Sequence, residues 1–211
     1  MNIDKIKNDI IKIGSRLDSK NLTYGTSGNI SVKVGEYILI TSSGSALSDL
    51  THDEIVLIDK DLKEVDSGKI ASSEKKLHAA IYNKRPEVKA VVHCHAPAVS
   101  AFAVARKEMD KPILAENVLY FGKIPIADYA MPSSDLLVEN TVRKFDKHDV
   151  VLMANHGIIA VDAELSHAYY KIDTAEAYAK VLLYSKILGK EVLLSDKDVM
   201  DLEKLKTLPK L

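Results

Sequence analysis

The chain has 211 residues, enough for one domain with a well-buried core, and at 46% hydrophobic and 28% charged it has an ordinary globular composition. A net charge of −1 leaves no basic surplus for nucleic acid, and no apolar run approaches the roughly 20 residues that a bilayer span needs. The single cysteine, Cys94, excludes an internal disulfide framework, and Met1-Asn2-Ile3-Asp4-Lys5 carries no secretory pattern, so a reducing, cytoplasmic location is expected.

Ile3, Ile6, Ile10, Ile13 and Leu17 recur at helical spacing and predict an amphipathic helix over 3–19. The turn-rich loop Tyr24-Gly25-Thr26-Ser27-Gly28-Asn29 leads into an alternating strand over 30–34. Gly35-Glu36 then returns the chain as a second strand over 37–40, making a hairpin. Thr41-Ser42-Ser43-Gly44 is a second turn-rich loop, and 55–58 reads as another strand. Ser72-Ser73 open a helix of about ten residues that Arg85-Pro86 ends. A strand over 90–95 and an apolar helix near 97–106 follow, and 117–126 is ambiguous, with a break at Gly122-Lys123. Ser133-Ser134-Asp135 start a helix to about Phe145. Two apolar strands, 150–154 and 158–161, are interrupted by Asn155-His156-Gly157. A long helix runs over 165–188 to Gly189, and the tail from Leu194 reads as a last helix. Strands and helices mix throughout, with no linker and no internal repeat, which predicts one α/β domain over residues 1–211.

The chemistry concentrates in Val91-Val92-His93-Cys94-His95. Alternate strand residues share a face, so His93 and His95 point together while Ala90, Val92, Cys94 and Ala96 point to the core. Two imidazoles on one strand face make poor core and good metal ligands. His156, at a turn inside an apolar run, can close a three-histidine site with an open position, an arrangement suited to a catalytic zinc. The other histidines, His52, His78, His148 and His167, read as surface or satisfied polar positions, and Cys94 as a buried structural thiol. Glu74 falls in the first turn of the helix after Ser72-Ser73, where the macrodipole alone favours a carboxylate. Next to a metal it would ligate the ion or abstract a proton. The loops Gly28-Asn29, Ser43-Gly44 and Ser72-Ser73 offer backbone N–H groups and hydroxyls, the last at a helix N-terminus, and together can grip a phosphate.

In order, Gly25-Thr26-Ser27-Gly28-Asn29-Ile30-Ser31, Ile40-Thr41-Ser42-Ser43-Gly44, Ser72-Ser73-Glu74, His93-Cys94-His95 and Asn155-His156-Gly157 resemble one family. The chain looks like a class II sugar-phosphate aldolase of the L-fuculose-1-phosphate aldolase and L-ribulose-5-phosphate 4-epimerase group, from about residue 5 to 195. The resemblance implies a three-layer α/β/α fold with a mostly antiparallel central sheet, and a homotetramer with active sites between subunits. It implies that His93, His95 and His156 bind zinc and that Glu74 is the acid/base, contacting the metal at rest. Gly28, Asn29, Ser43, Gly44, Ser72 and Ser73 match the family's phosphate positions, with Ser43 in place of its threonine.

The implied reaction cleaves a ketose 1-phosphate, such as L-fuculose 1-phosphate, through an enediolate into dihydroxyacetone phosphate and an aldehyde. The family's fuculose enzymes carry tyrosines where this chain reads Ile113-Leu114-Ala115-Glu116 and, near the C-terminus, Lys206-Thr207-Leu208-Pro209. Glu116 is a candidate substitute, because the related methylthioribulose-1-phosphate dehydratases use a glutamate at a similar distance beyond their His-x-His pair. A dehydratase is therefore an alternative reading. A 4-epimerase is disfavoured, since it would carry aspartate at the position of Glu74. An adducin-head-like interaction module would lack the three histidines.

Overall fold

The computed structural model describes residues 2–65 and 68–205, and is built on a seven-stranded sheet. Helix α1 (Ile3–Ser19) precedes β1 (Asn29–Val34), β2 (Tyr37–Thr41) and β3 (Ile55–Ile58). Helix α2 (Lys75–Lys84), β4 (Ala90–Cys94), α3 (Pro97–Val104), α4 (Ala115–Tyr120) and β5 (Ile126–Ala127) follow. The chain continues through α5 (Asp135–Val142), β6 (Val150–Met153), β7 (Gly157–Asp162), α6 (Leu165–Leu188) and α7 (Asp196–Leu205). The strand order is β3-β2-β1-β4-β7-β6-β5, and every pairing is antiparallel except the parallel pair β5–β6. The sheet is thus mixed, with one parallel edge on an otherwise antiparallel frame.

Strand alternation divides the interior into two cores. Ala90, Val92 and Cys94 of β4 pack with Ile10, Ile13 and Leu17 of α1, Val99 and Phe102 of α3, and Ile172 and Ala175 of α6. Val91, one residue out of phase, joins the opposite core with Leu77 and Ile81 of α2 and Leu137 of α5. Helices therefore cover both faces of the sheet, because each face is apolar and each helix has one apolar stripe to bury.

Most expected elements match within a residue or two. The apolar helix of 97–106 ends at Val104, and the helix from Ser134 gives way to a 3-10 turn over Arg143–Asp146. The ambiguous stretch resolves into α4, a turn at Gly122 and the short β5. Among the described residues no helix is long and apolar enough to cross a membrane.

Candidate active site

The site is assembled where β1, β4 and the β6–β7 turn meet. His93 lies directly opposite Asn29 of β1 and Ile159 of β7 in the ladder. Strand β4 ends at Cys94, so His95 is the first residue beyond it, yet its ring still turns to the side that His93 occupies. The Nε2 atoms of these two rings are 3.2 Å apart. His156 enters from the loop between β6 and β7, where Asn155 takes a left-handed conformation (φ 54°) that asparagine tolerates and most residues do not. The three ring centroids form a near-equilateral triangle, with separations of 4.8, 5.0 and 5.1 Å. Their ligand atoms all lie within 4.8 Å of one another.

Two glycines make this convergence possible. A Cβ on Gly157 would stand 2.5 Å from the Cys94 carbonyl oxygen and 2.8 Å from Cδ2 of His95. A Cβ on Gly28, whose φ is +86°, would stand 2.8 Å from the His93 carbonyl oxygen. The backbone on each side of β4 thus approaches too closely for any side chain.

Glu74 faces the triangle. Its carboxylate oxygens lie 3.5 Å from Nε2 of His93 and 3.5 Å from Nε2 of His156, and its side chain is buried. Asn29 donates to Oε2 of Glu74 at 3.0 Å. Burial pushes the Glu74 carboxyl up, but the facing His93 and His156 rings and the Asn29 amide pull it further down, to about 2. Burial drives His93 the other way, down to about 4, so its ring is neutral at pH 7. His93 Nδ1 donates to the Ile158 carbonyl at 2.9 Å. A carbonyl only accepts, so the proton sits on Nδ1 and the Nε2 lone pair is free to bind a cation. Three nitrogen donors with a carboxylate alongside suit zinc or a similar borderline divalent ion.

One pocket of about 190 Å³ joins the histidines and Glu74 to Gly28, Asn29, Ser43, Gly44, Ser72 and Ser73. These loops lead into or out of separate elements, and the sheet brings them to one end. The amides of Ser43 and Ser72 are already taken by the carbonyls of Ile70 and Thr41. The amides of Gly44 and Ser73 have no such partner among the described residues, and with the serine hydroxyls they leave a neutral, donor-rich cradle for an anion.

The comparisons with known proteins agree with this geometry. A family model described as "Class II Aldolase and Adducin N-terminal domain" matches residues 8–183. The chain belongs to this family. An "L-fuculose phosphate aldolase" of Methanocaldococcus jannaschii is 34% identical over 184 residues, covering 87% of this chain and 99% of that protein. A "5-methylthioribulose-1-phosphate/5-deoxyribulose-1-phosphate aldolase" of Escherichia coli O45:K1 is 34% identical over 207 residues, covering 96% of each chain. A solved "L-fuculose 1-phosphate aldolase" superposes with a TM-score of 0.88 at 28% identity, covering 96% of each chain. The protein is accordingly a class II aldolase, a carbon–carbon lyase of a metal-dependent family.

Several expected residues of this aldolase fall elsewhere than the sequence suggests. Glu74 occupies the N-cap position of α2 rather than its first turn. Glu116 is exposed on α4, which packs on α6 and α7, and it does not line the pocket. The C-terminal stretch Lys206–Pro209 lies outside the described residues. His78, expected at the surface or fully satisfied, is wholly buried: Nδ1 pairs with Ser31 Oγ at 2.7 Å, while Nε2 has no partner among the described residues. Thr26, Ser27, Ser42 and Pro132 also line the pocket. Ser42 is legible as the neighbour of Ser43-Gly44, whereas Pro132 comes from a distant loop that no local pattern marks.

Proposed function

We propose that this aldolase is zinc-dependent and cleaves L-fuculose 1-phosphate, or a similar deoxy-ketose 1-phosphate, to dihydroxyacetone phosphate and an aldehyde. The whole chain, 1–211, acts as one class II aldolase-like domain, in the cytoplasm, as a homotetramer with active sites between subunits. The observation that carries the reading is the buried Glu74 carboxylate, 3.5 Å from two of three converging imidazoles and at the edge of a neutral anion cradle. Among the described residues no lysine lines the pocket to form a covalent imine with a ketose, which supports carbonyl activation by a metal.

His93, His95 and His156 would hold the zinc, with Glu74 as a further ligand before substrate enters. Zinc, when bound, polarises the ketose carbonyl and offsets the negative charge that develops as the carbon–carbon bond breaks. The donors of Gly44, Ser72 and Ser73 hold the phosphate and so set the distance from phosphate to reacting carbon. In the synthetic direction Glu74 accepts the proton from the carbon of dihydroxyacetone phosphate that becomes the nucleophile. In the cleavage direction it returns that proton to the same carbon once the C3–C4 bond has broken. Asn29 holds one Glu74 oxygen, which aims the other at the pocket.

The relative named for methylthioribulose and deoxyribulose phosphates widens the candidate substrates on the aldehyde side. The test is a panel of ketose 1-phosphates, including L-fuculose 1-phosphate and 5-deoxyribulose 1-phosphate, with product identification before and after chelation. Two fragments, one of them dihydroxyacetone phosphate, formed only with metal present, are expected. Loss of water with an unbroken carbon chain would mark a dehydratase instead, and turnover unaffected by chelators would remove the metal from the mechanism.

A further inference from the structure

Glu176 lies in the middle of α6 and is 2% exposed. Its oxygens each accept one backbone N–H, from Ala98 at 3.1 Å and from Val99 at 2.9 Å. Lys180, one turn later, is its ion-pair partner at 3.2 Å. Ala98 and Val99 belong to the first turn of α3, whose own N-cap position, Ala96, has no side chain able to satisfy those amides. The helix therefore draws its capping acceptor from a different element.

That helix begins two residues after His95. The ladder that fixes β4 reaches His93 on the β1 side and Cys94 on the β7 side, so His95 lies beyond its last pair. Its backbone is held between the end of the strand and the start of α3. Apolar packing of Val99, Phe102 and Ala103 keeps α3 on the sheet, but such contacts are non-directional and tolerate rotation and sliding. Two charge-assisted hydrogen bonds, one to each carboxylate oxygen, are directional and fix the helix start in three dimensions.

We propose that Glu176 is a positioning residue for the metal site. By fixing the first turn of α3 against α6, it places His95 so that its ring meets those of His93 and His156. The inference rests on the reading that these three rings hold zinc, and it adds a group from outside the pocket on which zinc affinity depends. An amide at 176 offers one acceptor and turns its own N–H toward a backbone N–H, so it cannot replace the carboxylate.

The test compares wild type with Glu176→Gln, Glu176→Asp and Leu182→Ala. Leu182 is buried on the same helix and makes no hydrogen bond to α3 through its side chain. Zinc affinity is read by competition with a chromogenic chelator, and stability by the melting temperature of the metal-free proteins. Glu176→Gln is expected to bind zinc about tenfold more weakly, the lower end for losing a group that orients a ligand. Glu176→Asp, with both oxygens on a shorter stem, should recover part of that loss. Leu182→Ala should lower the melting temperature and leave zinc affinity unchanged. Wild-type affinity in Glu176→Gln, or equal weakening in Leu182→Ala, overturns the inference alone. If the glutamine variant does not fold, the aspartate variant decides: affinity several-fold below wild type supports the inference and equal affinity overturns it. A wild-type protein that binds no zinc overturns the metal reading and this inference with it.

Discussion

Glu74 holds a negative charge in a place where the Asn29 amide and the His93 and His156 rings surround it. With its carboxyl held at about 2, it is ionised throughout the range in which the enzyme would work, and so is in the right state to accept a proton. Glu74→Gln keeps the shape and one acceptor oxygen but cannot take that proton. We expect its metal content to match wild type, because three imidazoles remain. Exchange of the reacting hydrogen of dihydroxyacetone phosphate with deuterated water should slow by about 10²- to 10⁴-fold, the usual contribution of a positioned base. Exchange at the wild-type rate would remove Glu74 from that role. At this scale the sequence is highly legible: alternation alone puts His93 on the face opposite Ala90, Val92 and Cys94 and beside His95, and two imidazoles there need a chemical explanation. The wholly buried Cys94 belongs to the other face, as alternation predicts, and burial pushes its thiol up to about 12, so it is no nucleophile.

Local elements explain why the Asn-His-Gly motif has that composition. Asn155 supplies the left-handed turn residue, His156 the donor, and Gly157 the absence of a side chain where β7 passes the end of β4. In Gly157→Ala the new Cβ would press on a backbone carbonyl, which cannot rotate away, and on the His95 ring. The substitution should destabilise the fold by about 1–3 kcal/mol, the usual range for overpacking. It should also weaken zinc binding, since the His95 ring must shift. Chemical denaturation together with a zinc titration measures both, and wild-type zinc affinity in this variant would show that the close approach does not serve the site. Element boundaries were less legible than element types. The α4 region was ambiguous because its six residues, Ala115–Tyr120, are too short for a clear apolar period. Glu116, placed by analogy with a linear distance from His-x-His, is exposed on that helix, and distance along a chain does not determine direction in space.

Across the whole molecule, acid should act on the buried imidazoles first. His78 is wholly buried and pushed down to about 3 by desolvation, so the folded protein binds its proton far more weakly than the unfolded chain does. The contribution is fully present above the unfolded value, roughly 6.5, and is lost as pH falls from there toward 3. His93, lowered to about 4 by burial, and His95, also lowered by burial, act with the same sign. Urea unfolding of the metal-free protein should therefore give a plateau of stability near pH 7.5 and a decline below about 6.5. Each of these histidines adds up to about 1.4 kcal/mol per pH unit. A stability that holds level or rises between pH 6.5 and 4.5 would contradict the burial of these rings.

The sequence by itself determined the α/β class, the shared facing of His93 and His95 and the polar loops, because each follows from short-range rules: strand period, helix period and turn chemistry. Only the tertiary structure decided that His93, His95 and His156 converge to within 4.8 Å, that His78 is buried, and that Glu176 of α6 accepts the Ala98 and Val99 amides at the start of α3. These depend on strand order and on which helix covers which face. Local periodicity is silent on both, since the free energy that selects among packings comes from contacts between residues far apart in the chain.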